Sequence, residues 1–309
     1  MANHSACRET TLPAHGEKAS PQQCINRFSA QQRKTVYRHH PGSFVLLCLT
    51  LSAISVTAAF VLFLVGYVLV MGIPNLSPDL FALSYTKENG SLLPALRNTF
   101  IATSFSLAMA VPVGIFAAVY LAEYTGRNNK LVSVIRVATE TLAGIPSIVY
   151  GLFGFLAFVT AFHWGYSLLS GALTLAIMVL PLIIRSTEEA LQGVPDAYRE
   201  GSFGLGAGRL RTVFKIVLPS AIPGIFSGVI LAVGRIVGES AALLYTAGTV
   251  PEAAISPMDS ARTLATHLWA LSSEGLSLGK SYATALVLLV IVAGINGLSA
   301  AAAKKLSKG

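Results

Sequence analysis

Long apolar stretches alternate with short polar segments along this chain. A helix needs about 20 mostly apolar residues to cross the hydrocarbon core of a membrane. Six stretches approach or exceed that length, and each predicts a membrane-spanning helix: Phe44–Met71, Asn98–Ala122, Leu131–Phe162, Leu168–Ile184, Ile222–Tyr245 and Tyr282–Ala303. The third contains Arg136 and Glu140 near its start, so its membrane part is expected to begin near Leu142. The predicted fold class is all-α, a polytopic membrane protein with six transmembrane helices.

The polar segments divide the chain into three predicted parts. Residues 1–43 are polar and contain scattered histidines, so we expect a disordered tail. Residues 44–303 form the six-helix domain, which includes a long polar loop at about 186–219. Residues 304–309 form a short basic tail.

The composition agrees with a membrane protein. Only 12% of the residues are charged and 53% are hydrophobic, whereas about 25% of the residues of soluble domains are charged. The formal net charge of +8 raises the alternative of a nucleic-acid-binding protein. No nucleic-acid-binding motif accompanies that charge, so we expect no nucleic-acid partner.

The distribution of the basic residues explains the charge instead. With six spans both termini lie on one side, and we place them in the cytoplasm. Of the 22 Lys and Arg residues, Arg235 then lies within a span and only four lie outside: Lys87, Arg97, Arg262 and Lys280. The other seventeen lie on the inside, as the positive-inside rule requires. The sequence therefore predicts a multi-pass protein with both termini cytoplasmic.

The polar loop contains the segment "REGSFGLGAGRLRTVFKIVLP", from Arg199 to Pro219. Its pattern predicts a helix over Tyr198–Leu205, a second helix over Arg209–Val217, and a turn between them. Gly206 can adopt the positive φ of a helix C-cap. Val213, Ile216 and Val217 would share the apolar face of the second helix. Gly201 lowers helix stability by roughly 1 kcal/mol relative to alanine, so the first helix is expected to be ordered by a partner.

This segment resembles the EAA loop of ABC-importer permeases, whose pattern is E-A-A-x(3)-G-x(9)-I-x-L-P. Its fixed positions are matched by Glu200, Gly206, Ile216, Leu218 and Pro219, whereas Gly201 and Ser202 replace the two alanines. The resemblance implies that the loop docks in a cleft of a cytoplasmic ATPase subunit. The alternative is a basic amphipathic segment that lies at the membrane surface without a partner.

Two charged residues, Arg235 and Glu239, lie deep in the fifth apolar stretch. Charged residues inside a membrane usually face a cavity or each other, and the i,i+4 spacing of this pair would place both on one helical face. One interpretation is a structural ion pair. The other is an anion path, in which Arg235 offers a planar guanidinium to an oxyanion. Arg185, at the end of the fourth stretch, would add positive potential at the inner mouth or would simply extend to the membrane surface.

A longer resemblance points to one family. The stretch from Gly193 to Gly248, with "GRIVGES" at its centre, and "AGIPSIVYGLFG" (Ala143–Gly154) are similar to the PstA-type permease subunit of phosphate ABC importers. The resemblance covers about residues 44–303. It implies the type I ABC-importer permease fold, a location in the bacterial inner membrane, and phosphate as the transported substrate. It also implies three kinds of protein partner: a second permease of similar fold, two ATPase subunits and an extracytoplasmic phosphate-binding protein.

No catalytic constellation accompanies these motifs, so we expect a transport subunit without enzyme activity, cofactor or metal. "GLSLGKS" (Gly275–Ser281) has three residues between its glycines, where a P-loop needs four. A permease for another oxyanion, such as sulfate or molybdate, remains the closest alternative. A secondary transporter is a more distant one, because no internal repeat with matching broken helices is seen.

Overall fold

The computed structural model describes residues 41–125, 130–273, 275 and 277–306, and these residues contain helices and no strand. The all-α prediction is therefore confirmed for the described part of the chain. The predicted tail before residue 41 lies outside the described residues, as does Arg127. The chain separates into two compact units, Met1–Gly66 and Tyr67–Gly309.

Eleven α-helices follow one another in the described residues. They are α1 Pro41–Gly72, α2 Leu93–Val119, α3 Lys130–Ala143, α4 Ser147–Gly154, α5 Leu168–Gln192, α6 Asp196–Gly204, α7 Arg209–Thr212, α8 Leu218–Val237, α9 Ala241–Thr246, α10 Leu264–Ser273 and α11 Leu278–Leu306. Three wider π-helical segments extend α2, extend α4 and join α7 to α8: Tyr120–Tyr124, Phe155–Ala161 and Val213–Val217. Two short 3-10 turns, Ile73–Asn75 and Pro78–Phe81, lie between α1 and α2.

Five of the predicted spans correspond to unbroken helices long and apolar enough to cross a membrane: Val45–Asn75, Leu93–Tyr124, Leu168–Gln192, Arg209–Val237 and Leu278–Leu298. The third predicted span is different. It consists of two helices, Val132–Ala143 and Ser147–Ala161, that meet at 102°. The break contains Gly144 and Pro146, and a proline disfavours helical conformation in the residue before it. The stretch predicted as one span is thus a sharply bent pair of helices, and counting the pair as one span gives the six that were predicted.

The fifth span also differs from its predicted bounds, Ile222–Tyr245. Its helix begins in the polar loop at Arg209 and ends at Val237. Pro219 lacks the N–H that would bond to the carbonyl four residues earlier, and the wider π-helical turn of Val213–Val217 ends two residues before it. The loop and the span therefore form one continuous helical rod.

Within the unit Tyr67–Gly309, α5 is the most buried of the spanning helices. Its residues Leu175, Val179 and Ile183 are fully buried in the main apolar cluster. Glycines allow its neighbours to approach closely, as is common between membrane helices. A methyl group on Gly114 of α2 would lie 2.6 Å from Ile183, and one on Gly224 of α8 would lie 2.6 Å from Ala190. Helix α5 is thus the central element against which α2 and α8 pack.

Helix α1 has a different surface. Within the unit that ends at Gly66, most of the described apolar side chains of α1 are exposed, including Val45, Leu49, Phe60 and Leu62. A membrane helix of this kind contacts lipid or another subunit, because lipid chains are as apolar as the side chains themselves.

Candidate functional site

The polar loop has the predicted helix–turn–helix form. Helix α6 is closed by Gly206, whose φ of +81° lies in the left-handed region that only glycine adopts without strain. The N–H of Gly206 donates to the carbonyl of Phe203 at 2.9 Å, and the N–H of Ala207 donates to the carbonyl of Ser202 at 3.1 Å. These two bonds form a Schellman motif, which satisfies the last carbonyls of a helix. The predicted turn at Gly206 is confirmed.

The two arms of the loop are joined from inside. The hydroxyl groups of Ser202 and Thr212 lie 2.8 Å apart, and both residues are buried. Val213 and Val217 are also buried, with Ile216 half-buried beside them, so the predicted apolar face exists. Ser202, which departs from the alanine of the EAA pattern, thus forms a hydrogen bond that alanine cannot make.

The outer side of the loop exposes apolar residues next to charges. Leu205 is 92% exposed, and Tyr198, Phe203 and Leu210 are also exposed. Glu200, which occupies the first position of the pattern, is exposed as well. Clustered apolar side chains on a solvent-facing turn are typical of a surface that binds another protein.

A buried ion pair beneath the loop was not found by sequence reasoning. Nη2 of Arg199 in α6 lies 2.6 Å from Oε1 of Glu123, and the two side chains are 17% and 9% exposed. The hydrogen bond that Arg199 donates to the carboxylate of Glu123 raises the pKa of Arg199, so the guanidinium stays charged. The same guanidinium donates to the carbonyl of Leu191, in the last turn of α5, and to that of Val194, just after the helix. The two partners are 76 residues apart, which is why no local pattern indicated the pair.

Arg235 lies in the last turn of α8 and is half-buried. Among the ion pairs found in the described residues, none involves Arg235, so no described carboxylate lies within 4.0 Å of its guanidinium. An unpaired guanidinium in a membrane-spanning helix is suited to a mobile anion, because it presents several N–H donors in a planar fork.

Glu239 does not share a helical face with Arg235. The helix ends at Val237, and residues 238–240 are not helical. Oε1 of Glu239 instead accepts a hydrogen bond from the N–H of Ala242 at 3.2 Å, at the start of α9. The expectation that both side chains lie on one helical face is therefore wrong for this structure, because the helix ends at Val237, with Gly238 as its C-cap.

Arg185 lies apart from these residues, in the last turns of α5. Its Nε atom lies 3.0 Å from Oε1 of Glu189, and its side chain is 61% exposed. Both residues line a cavity of about 280 Å³ together with Arg136, Glu140 and Glu188. Arg136 pairs with Glu188 at 2.5 Å. Arg185 thus forms an exposed i,i+4 ion pair with Glu189 beside a cavity whose lining contains more acidic than basic groups.

A second cleft, of about 480 Å³, lies between α5, α8 and α11. Its polar lining comes from Ser186, Glu189, Ser227 and Asn296. No group of three His, Cys, Asp or Glu residues in the described ranges could hold a metal ion.

The sequence matches a family model and many curated relatives. Residues 110–308 match the model of the binding-protein-dependent transport system inner membrane component. The "Probable ABC transporter permease protein YqgI" of Bacillus subtilis is 38% identical over 240 residues, which cover 72% of this chain and 80% of that protein. The "Phosphate transport system permease protein PstA" of Pasteurella multocida is 40% identical over 208 residues, 65% of this chain and 72% of that protein.

A mycobacterial relative aligns over a shorter region. "Phosphate transport system permease protein PstA 2" of Mycobacterium bovis is 44% identical over 158 residues, so the match spans 50% of this chain and about half, 52%, of that protein. The identity is thus highest where the alignment is shortest.

Solved structures with the same fold are permeases of ABC transporters. An inward-facing MetNI methionine ABC transporter matches with a TM-score of 0.54 at 19% identity, covering 70% of this chain and 94% of that chain. A bacterial ABC transporter involved in alginate import matches with a TM-score of 0.58 at 16% identity, covering 86% and 98%. At these identities the likeness establishes the fold alone. The sequence relatives establish the family: this chain is a PstA-type permease of the binding-protein-dependent transport system inner membrane component family, with the fold of an ABC-importer permease.

Proposed function

We propose that this chain is the permease subunit of an ATP-driven phosphate importer and forms the translocation path with a second permease of similar fold. The loop of residues 196–219 faces the cytoplasm and docks on one of two ATPase subunits, which hydrolyse ATP. An extracytoplasmic binding protein delivers phosphate. The chain itself catalyses no reaction. Both of its termini lie in the cytoplasm of a bacterial cell.

The observation that carries this proposal is the continuity between the loop and the span. Residues Arg209–Val237 form one helical rod, with the exposed tip of the loop at one end and Arg235 at the other. A displacement of the second arm of the loop, which begins at Arg209, therefore reaches the last turn of α8 along one helix. This is the arrangement that ATP-driven gating needs, a single element whose position both sites influence.

Phosphate is favoured by the charges at the far end of the rod. Arg235 offers N–H donors to an oxyanion without a competing carboxylate. Glu239 is half-buried a short distance beyond the helix end, and its free carboxylate oxygen can accept a hydrogen bond from a protonated oxygen of hydrogen phosphate. Sulfate at neutral pH has no such proton. The names of the PstA relatives support the same substrate.

The test is radiolabelled phosphate uptake in cells that lack this chain, with and without the chain restored. Unlabelled phosphate, sulfate and molybdate serve as competitors. Rescue that only unlabelled phosphate competes away supports the proposal. If the restored chain supports uptake of sulfate or molybdate instead, the assignment as an ABC-importer permease stands and the assignment of phosphate as its substrate is wrong. Uptake that persists without ATP and follows an ion gradient would indicate a secondary transporter.

A further inference from the structure

Arg199 connects three separate elements of the fold. Its Nη2 and Nε atoms donate to the carboxylate of Glu123 at 2.6 and 3.2 Å. Glu123 lies in the π-helical segment that extends α2. The Nη1 and Nη2 atoms of Arg199 also donate to the carbonyls of Val194 and Leu191, at 2.8 and 2.9 Å. Arg199 itself belongs to the docking helix α6. One guanidinium thus joins the loop to the ends of α2 and α5.

Glu123 is buried and Arg199 is half-buried. Glu123 is 9% exposed, and in the described part of the chain Arg199 is its only ion-pair partner. Removing one member of such a pair leaves an uncompensated buried charge, whereas replacing both by apolar groups is often neutral for stability. Fold stability alone therefore gives little reason for a charged pair at this position.

A second contact reinforces the same connection. The guanidinium of Arg209, at the start of α7, lies 5.6 Å from the ring centre of Tyr124, the residue after Glu123. Beneath it, Val119 of α2, Leu191 of α5 and Val213 of the loop belong to one apolar cluster. Both arms of the loop are thus attached to the end of α2.

We propose that Arg199 and Glu123 are positioning residues that transmit movement of the docked loop to α2 and α5, in addition to the path along α8. With the pair intact, the loop and these helix ends move as one body. Without it, the loop moves α8 alone and the path opens incompletely. This inference rests on the proposed function, because it assumes that the loop is displaced by an ATPase.

The test compares Glu123→Gln with Glu188→Gln in the complete transporter reconstituted in proteoliposomes. Glu188 is a matched control, since its side chain is 12% exposed and its hydrogen-bond and ion-pair partners among the described residues, Arg136 and Gln192, lie outside residues 196–219. Phosphate transported per ATP hydrolysed is measured together with the amount of ATPase subunit retained. We expect Glu123→Gln to retain the ATPase and to lower the ratio at least about fivefold, while Glu188→Gln keeps the unmodified ratio.

A ratio in Glu123→Gln equal to that of the unmodified transporter would overturn the inference, and so would an equal loss in both variants. If Glu123→Gln does not accumulate, Arg199→Lys is measured in the same assay, because lysine has one nitrogen where arginine has three. If Arg199→Lys transports as much phosphate per ATP hydrolysed as the unmodified transporter, the inference is also overturned. Failure of the proposed function looks different, since the unmodified transporter would then show no ATP-dependent phosphate transport.

Discussion

At the scale of single residues, Gly206 is the position where the backbone conformation requires glycine. A side chain there would have to adopt a φ of +81°, which costs about 1–2 kcal/mol for most residues and more for a β-branched one. We expect Gly206→Val to distort the turn and to release the ATPase subunit from purified membranes.

Gly204 supplies the matched control for this variant. It lies in α6 without a positive φ, and a methyl group there would meet nothing within 4 Å. Gly204→Val adds the same side chain without backbone strain. We expect it to retain the ATPase, and equal retention in both variants would contradict the role of Gly206.

Arg235 is the second residue with a specific prediction. Arg235→Gln removes the charge but keeps a polar side chain, so we expect the complex to assemble and phosphate uptake to fall at least about tenfold, the loss of roughly one charge-assisted hydrogen bond. Arg97→Gln, at an exposed arginine near the start of α2, is the control. If the Arg235→Gln complex assembles and its phosphate uptake is unchanged, Arg235 is not part of the translocation path.

Residues in the loop were predictable because their signal is local. The positive φ of Gly206 follows from a glycine between two helical patterns. The separation of Arg235 and Glu239 was missed because one glycine, Gly238, ended the helix inside an otherwise apolar stretch. The pair of Arg199 and Glu123 was also missed, since a contact between distant residues depends on packing that no periodicity records.

At the scale of elements, α10 is anchored through a buried histidine. His267 is fully buried, with Nε2 lying 3.3 Å from the carbonyl oxygen of Gly90. Burial, with a smaller contribution from the charge of Arg262, lowers the pKa of His267 from 6.5 to about 4. The unfolded chain therefore binds more protons than the folded chain between these two pH values.

We accordingly expect the free energy of unfolding to decrease as the pH falls from 6.5 to 4, by up to about 3 kcal/mol from this residue. Thermal unfolding of the purified protein in detergent, measured across this range, checks the expectation. His267→Gln cannot titrate, so its melting temperature should fall less steeply with pH. Parallel curves for the two proteins would assign the pH dependence to other groups.

For the third predicted span, the helical conformation could be predicted from the sequence, but the angle between its two halves could not. Its apolar composition was sufficient to predict helix, but not the bend at Gly144 and Pro146. The angle of 102° between its two halves depends on how α4 packs against α9, where a methyl group on Gly151 would lie 2.8 Å from Ala242. Such a close approach is a property of the folded assembly of helices.

At the scale of the whole molecule, the orientation in the membrane is open to direct measurement. Leu205 is 92% exposed and Ile255 is 93% exposed, and the predicted topology places them on opposite sides. In a chain whose three native cysteines are replaced by serine, Leu205→Cys and Ile255→Cys are treated with a membrane-impermeant maleimide in intact spheroplasts.

We expect labelling of the Ile255→Cys protein in intact spheroplasts and of the Leu205→Cys protein only after permeabilisation. The similar exposure of the two positions makes each the control of the other. The reverse pattern would place the loop outside and separate it from any cytoplasmic ATPase.

The unbroken helix from Arg209 to Val237 also has a geometric consequence. At 1.5 Å per residue, the distance along it from Arg209 to Arg235 is about 39 Å. If it swings as a stiff lever about its loop end, a tilt of about 5° carries the far end through about 3 Å, the length of one hydrogen bond. A rotation too small to unseat any helix would therefore be sufficient to make or break a contact between Arg235 and an ion.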